Sequence, residues 1–278
     1  MRQGTVSVSI LSGKGGVGKS NIALNLGCAL NMAGNSVLLA DCDMGLANMD
    51  VLLGLTPQFH MQDMLLEDLT AEDVIVPVLR DRVGTAVPFM LLPANSGLAE
   101  LVDLDAGARS ILRDKINPLA LSYDFLFLDI GAGIAPTAME FGAMTTFRVV
   151  VVTPEPTSLT DSYAMMKVLS GRHGIQDFLI LVNQVENAEE GALTYRRLAA
   201  VCDKFLGFTP LRLGEIRMDR AVVEAVRKQR PLLQISPHAP AATDFRTVGS
   251  TLQRLRTERL SRGKVEIPLR DLYLDTQA

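Results

Sequence analysis

Cysteine is scarce in this chain of 278 residues: only Cys28, Cys42 and Cys202 occur, far apart and without a C-x-x-C pair. That spacing carries neither a disulfide framework nor a zinc or iron–sulfur signature. Cys42, between Asp41 and Asp43, reads best as a small buried residue. Histidine is equally sparse, and His60, His173 and His238 stand isolated, so no nucleophile–histidine–acid grouping emerges. Long apolar runs are missing too, because charged residues interrupt each one. A transmembrane helix is therefore not expected, nor is a signal peptide, since the first apolar strand runs straight into a glycine loop. The expectation is a cytoplasmic protein. Low-complexity linkers and internal repeats are also lacking. With 48% hydrophobic residues the chain can bury a sizeable core, and we expect one domain over residues 1–262 followed by a tail at 263–278.

What is present is a phosphate-binding pattern. Gly13-Lys14-Gly15-Gly16-Val17-Gly18-Lys19-Ser20 matches G-x-x-x-x-G-K-[ST]. The glycines let the backbone curl and aim successive N–H groups inward, Lys19 supplies charge to the β and γ phosphates, and the Ser20 hydroxyl can ligate Mg²⁺. Thr5 to Leu11 reads as a strand before the loop. A helix follows from Asn21, so strand, loop and helix N-terminus form an anion site favoured by the helix dipole. Lys14 is one lysine more than phosphate binding needs. Without a catalytic triad, any catalysis has to be phosphate chemistry.

Further strands are predicted at Ser36 to Ala40, Tyr123 to Leu128, Arg148 to Thr153, Phe178 to Val182 and Leu211 to Ile216. Several are near-continuous apolar runs, as in a sheet covered on both faces. The fold class is therefore α/β, a doubly wound and mostly parallel sheet with its ligand at the C-terminal strand ends. The loops there carry acids. Asp41 and Asp43 follow the second strand and both can face phosphates; one would sit near an attacking water and the other in the Mg²⁺ shell. Asp129 follows the Tyr123 to Leu128 run in the layout of a Walker B acid. Helix capping is the competing role for these acids. Two methionine-bearing stretches, Met61 to Met64 and Met165-Met166, read as core filler, with a partner surface as the alternative.

The early lysine of GKGGVGKS, the segment LLADCDMGLANMDVLLGL and the segment FLFLDIGAGI together resemble the deviant Walker A ATPases related to MinD and ParA. The stretch from Pro154 to Lys167 looks most like the FlhG and FleN flagellar-number regulators. The resemblance covers roughly Val6 to Leu260 and implies an ATPase with ATP and Mg²⁺ as cofactors, sandwiched in a homodimer. It implies that Lys14 crosses the two-fold axis to the partner's phosphates, that Asp43 orients the water, and that Ser20, Asp41 and Asp129 support Mg²⁺ directly or through water. The rest of the loop and Asn21 would hold the nucleotide. Asn183 lies where relatives place an amide or arginine over the adenine; Asn183-Gln184-Val185-Glu186 lacks the lysine and aspartate of the guanine signature, which favours ATP over GTP. Where relatives carry a proline, this chain has Arg217.

Charge is unevenly spread. Residues 196 to 264 hold fifteen Lys and Arg against six Asp and Glu, whereas residues 1 to 195 hold eleven against twenty-two. A basic C-terminal third favours an anionic membrane surface, nucleic acid or an acidic protein partner, an ordinary solvated face being the plain alternative. Phe245, Val248, Leu252 and Leu255 mark the core stripe of a helix there, with Arg246, Arg254, Arg256 and Arg262 elsewhere. MinD and FlhG relatives bind membranes through a C-terminal amphipathic helix; in this tail Pro268 interrupts, and Leu269, Leu272, Tyr273 and Leu274 could form one short apolar face for peripheral contact with the inner membrane. The resemblance thus implies a spatial or numerical regulator of flagella or another polar structure. A ParA-like DNA-associated positioning ATPase is the alternative, and an iron–sulfur carrier or redox ATPase fits the cysteines least.

Overall fold

Six-residue apolar runs become the strands at the centre of the molecule. The computed structural model describes residues 4–79, 87–95, 104–262 and 267–272. Its strands are β1 (Val6–Leu11), β2 (Val37–Cys42), β3 (Val76–Pro77), β4 (Phe89–Leu92), β5 (Phe125–Ile130), β6 (Phe147–Val152), β7 (Phe178–Val185) and β8 (Leu211–Arg217). They form one sheet in the order β3-β4-β2-β5-β1-β6-β7-β8. Neighbours run parallel except β3 and β4. The helices are α1 (Lys19–Met32), α2 (Met49–Leu53), α3 (Asp63–Leu66), α4 (Ala71–Val74), α5 (Ala106–Ala120), α6 (Pro136–Met144), α7 (Pro156–His173), α8 (Ala188–Leu206), α9 (Arg220–Arg227), α10 (Leu232–Ile235) and α11 (Pro240–Leu260).

Alternate residues of each strand feed two cores, one per face. Leu126, Leu128, Val150, Ile180 and Val182 pack with Ile116, Phe141, Met166 and Leu198 on one side. Phe125, Phe127, Val149, Val151 and Leu181 pack with Ile22, Leu26, Leu30, Phe245 and Leu252 on the other. Each such side chain taken fully from water contributes about 1.5–3 kcal/mol. Met61, Met64, Met165 and Met166 all lie in the first core, so they fill space rather than present a surface.

The structure adds β3 and β4, which the sequence reading passed over. Phe89–Leu92 has only four residues, bounded by Pro88 and Pro93, too short to show a period. It also carries β2 and β5 two residues beyond their expected ends, so Asp41 and Asp129 sit inside strands, directly paired across the sheet.

Two expectations about the C-terminal third need correction. Arg256 turns inward from α11: it donates to the Asp124 carbonyl at 3.1 Å and to the Gly4 carbonyl and Asp124 Oδ1 at 2.7 Å, and its guanidinium lies 5.5 Å from the Phe125 ring centre. It shares a helix face with the apolar stripe, and the strand starts offer acceptors that only a long cation reaches. Leu269 is not part of an exposed apolar face; it is fully buried. Asn117 donates to the Leu269 carbonyl at 3.0 Å and accepts from its N–H at 2.8 Å, Ser7 donates to the Pro268 carbonyl, and Arg113 pairs with Asp271 at 2.7 Å. Leu272 also packs on the core. Residues 268–272 therefore strap the N-terminal end of β1 to α5, while Tyr273 and Leu274 lie outside the described residues.

Candidate nucleotide site

Strand β1 enters the middle of the sheet, and the connections leaving β1 for β2 and β5 for β6 run to opposite sides, so a crevice opens at the C-terminal ends of β1, β2 and β5. The glycine loop fills its floor. Gly18 sits at φ +94° as the N-cap of α1 and Gly16 at φ +78°, conformations that L side chains resist. A methyl group on Gly18 would lie 2.7 Å from Asn183 Nδ2, and one on Gly13 would lie 2.1 Å from the Asp161 carbonyl carbon in α7. Nothing crowds Gly15 or Gly16. The loop is thus pressed against α7 on one side and open to the cleft on the other.

That cleft, of ≈ 700 Å³, is lined by Gly15, Gly16, Gly18, Lys19, Ser20 and Asn21, by Asp43 to Leu46, and by Gly131, Ala132 and Thr137. Gly13 and Val17 support it from beneath, Val17 being buried in the core. Lys14 points sideways: its amine donates to the Glu155 carboxylate and, at 3.1 Å, to Thr157 Oγ1, at the start of α7. The sequence reading did not assign Glu155 or Thr157; the signal was an acid and a hydroxyl immediately after a strand end.

The three aspartates separate by role. Asp43 is half-buried on the cleft wall, 3.1 Å from where a Gly131 side chain would begin. Asp41, expected beside the phosphates, does not line the cleft. It is buried, and its carboxylate accepts from the backbone N–H groups of Asp43 at 3.2 Å and of Asn48 and Met49 at 3.1 Å. It folds the loop that carries Asp43 and caps α2. Asp129 is buried, accepts from the Ser20 hydroxyl, and keeps one oxygen, Oδ1, without a partner. Burial pushes its carboxyl up to about 7, helped by the neighbouring Asp41 charge and opposed by Ser20 and Lys19. Burial raises Asp41 as well, against the pull of its three backbone donors.

Ser20 and Asp129 supply the hard oxygens that suit Mg²⁺, and the orphaned Oδ1 is one that a cation or its water shell would satisfy. Among the described residues no group of three or more His, Cys, Asp or Glu is placed to hold a metal ion. The three thiols are buried in separate elements and burial raises each above the ordinary cysteine range.

A second cavity of ≈ 570 Å³ adjoins the first through Gly16, Gly18 and Asn21. Asn183 lies here rather than over the main cleft, and its Nδ2 donates to the Val17 carbonyl at 2.8 Å. Its amide nitrogen is thereby engaged in fastening β7 to the loop. Arg217, on the same wall, is held in a fork by Asp244 at 2.8 and 2.7 Å.

The model of the CobQ/CobB/MinD/ParA nucleotide binding domain matches residues 8–232. The chain belongs to that family. Among curated relatives, the antiactivator FleN of Pseudomonas aeruginosa is 34% identical, over 93% of this chain and 90% of FleN. The flagellum site-determining protein YlxH of Helicobacter pylori is 31% identical, over 95% of this chain and 86% of YlxH. Among solved structures, MinD of Pyrococcus horikoshii, complexed with Mg-ADP, superposes with a TM-score of 0.72 at 25% identity, covering 90% of this chain and 97% of that one. The family and fold are those of ATP-binding and ATP-hydrolysing P-loop proteins with a deviant Walker A loop. MinD/ParA members dimerise and engage partner proteins, and as a group they are ATP-dependent spatial or numerical regulators. No helix among the described residues is long and apolar enough to cross a membrane.

Proposed function

We propose that this MinD/ParA-family chain sets the number or position of flagella by switching between an ATP-bound dimer and a monomer. The observation that carries the flagellar assignment is identity: FleN and YlxH match nearly the whole chain at 34% and 31%, against 29% over 93% of the chain for the putative MinD of Guillardia theta and 28% over 65% for MinD of Bacillus subtilis.

In this reading Gly13 to Asn21 hold the nucleotide. Backbone N–H groups of the loop and Lys19 bind its phosphates, and Ser20 with Asp129 holds Mg²⁺, which when bound neutralises phosphate charge. Asp43 orients the attacking water from the cleft wall, with Asp41 fixing its loop rather than touching the ion. Lys14 leaves Glu155 and Thr157 for the phosphates of a second copy, so that loss of the γ-phosphate weakens the dimer. Exposed Leu46 and Ile134 beside the cleft support a face that a second copy covers. Peripheral contact with an anionic membrane would arise only from the dimer, since the described part of the tail is committed to the body.

Size-exclusion chromatography with light scattering tests the switch. Asp43→Ala with ATP should accumulate dimer. Lys14→Ala should lose the dimer yet retain ATP, and Lys19→Ala should lose both; monomer throughout, or equal ATP losses for the two lysines, would reject the sandwich. Flagella counted in P. aeruginosa lacking FleN, with and without this chain, test the flagellar assignment. An unchanged count rejects it.

A further inference from the structure

Two residues other than glycine adopt positive φ among those described: Gln184 at +59° and Gln229 at +52°. Gln229 directly follows the C-cap of α9, where a left-handed residue commonly ends a helix. Gln184 has no such local reason. It lies within β7, and the register with β8 runs Asn183↔Ile216 then Val185↔Arg217, so Gln184 is the extra, unpaired residue of a bulge. It is the one exposed position in an otherwise buried strand. A left-handed glutamine held mid-strand is strained, and such strain concentrates at ligand sites.

The bulge opens on the second cavity. Ile22, Ile216, Met218, Val222 and Val226 give it apolar walls, and its mouth is shared with Gly16 and Gly18 of the phosphate loop. A flat heterocycle joined to phosphates through a sugar fits that combination. The Asn183 amide nitrogen is spent on Val17 and the Arg217 guanidinium on Asp244. Of the polar groups that β7 brings to this wall, Gln184 presents the exposed carboxamide, one donor face beside one acceptor.

We infer that Gln184 is the residue by which this chain prefers adenine, its bulge turning the side-chain amide onto the edge that carries N6. An amide complements adenine's adjacent donor and acceptor, whereas guanine offers two acceptors along the equivalent edge. The inference rests on the nucleotide occupying the glycine loop as proposed above.

Gln184→Gly tests it without endangering the fold, because glycine adopts this φ without strain. Its melting temperature should equal or exceed the wild type's. Calorimetric titration with Mg-ATP and Mg-GTP should show ATP affinity falling about tenfold and the ATP-over-GTP preference shrinking by a similar factor, the size of one good bidentate pair. Inosine triphosphate, with oxygen in place of the N6 amine, should bind the wild type as GTP does. An unchanged ATP-to-GTP ratio in Gln184→Gly overturns the inference, as does a wild type with no preference. Lys19→Ala separates the two levels. If it leaves ATP binding intact, the nucleotide is not on the loop and the site reading fails; if it weakens ATP and GTP alike while Gln184→Gly weakens ATP selectively, both stand.

Discussion

The two ends of the sheet use their polar groups in opposite ways. At the C-terminal strand ends, groups are left available: Gly15 and Gly16 face open space, Asp129 keeps an unpartnered oxygen, and Lys14 rests on exposed Glu155 and Thr157. At the N-terminal strand ends, the arginines are committed. Arg256 is bonded to Asp124 and Gly4; Arg148 donates to the Thr145 and Thr146 carbonyls at 2.6 and 3.1 Å and to Asp177 at 2.7 Å; Arg113 fastens the tail through Asp271. A buried polar group left unmet costs about 1–3 kcal/mol, a cost that a cation or its water shell at Asp129 would relieve. The other end behaves as a clasp. Of the fifteen cations between residues 196 and 264, Arg256 is thus structural charge rather than surface charge.

The largest effect should come from Gly13→Ala. Its methyl group would meet the α7 backbone at 2.1 Å, and backbone cannot rotate away as a side chain does. We expect a loss of about 3 kcal/mol, the upper part of the range of about 1–3 kcal/mol typical of forced overpacking, together with loss of ATP binding. Urea unfolding and an ATP titration measure both. A variant that melts like the wild type would show that the loop does not depend on α7, and the contrast between an open upper surface and a fixed lower support would fail at its base.

This part of the molecule was legible in advance because phosphate binding constrains backbone, and backbone constraints appear as glycines at fixed spacing. The central strands were legible from apolar runs, and Lys19, Ser20 and Asp43 line one cleft at their ends. Asp41 was not resolved from Asp43, since two acids at i and i+2 look alike until the turn shows which one receives three backbone N–H groups. Arg256 was misplaced because helical spacing puts it near the apolar stripe without saying that a strand end waits there with carbonyls. Gln184 left no trace in composition: a positive φ inside a strand is a property of pairing register, not of residue type.

Arg256→Ala probes the lower end. Removing one partner of a buried ion pair usually costs about 3–5 kcal/mol; here the loss should be nearer 2 kcal/mol, because Asp124 is a quarter exposed and still accepts from the Ser36 N–H and hydroxyl at 2.9 and 2.8 Å. ATP affinity should be unchanged. Equal losses of stability and of ATP binding would mean that the two ends are mechanically coupled rather than independent.

The smallest effect should come from Arg254→Ala, two residues away on the same helix. Its pair with Glu258 spans 3.4 Å with side chains 67% and 51% exposed, and an exposed i,i+4 pair contributes roughly 0.3–0.5 kcal/mol at most. Its unfolding midpoint should barely move, and the difference from Arg256→Ala then measures what turning a cation inward is worth on one helix. Repeating both in high salt sharpens the distinction, since screening removes the contribution of Arg254 but reaches the Arg256 contacts far less. Two arginines counted alike in the chain's charge would then be separated by free energy: one a surface charge open to an anionic partner, the other a structural cation unavailable to any.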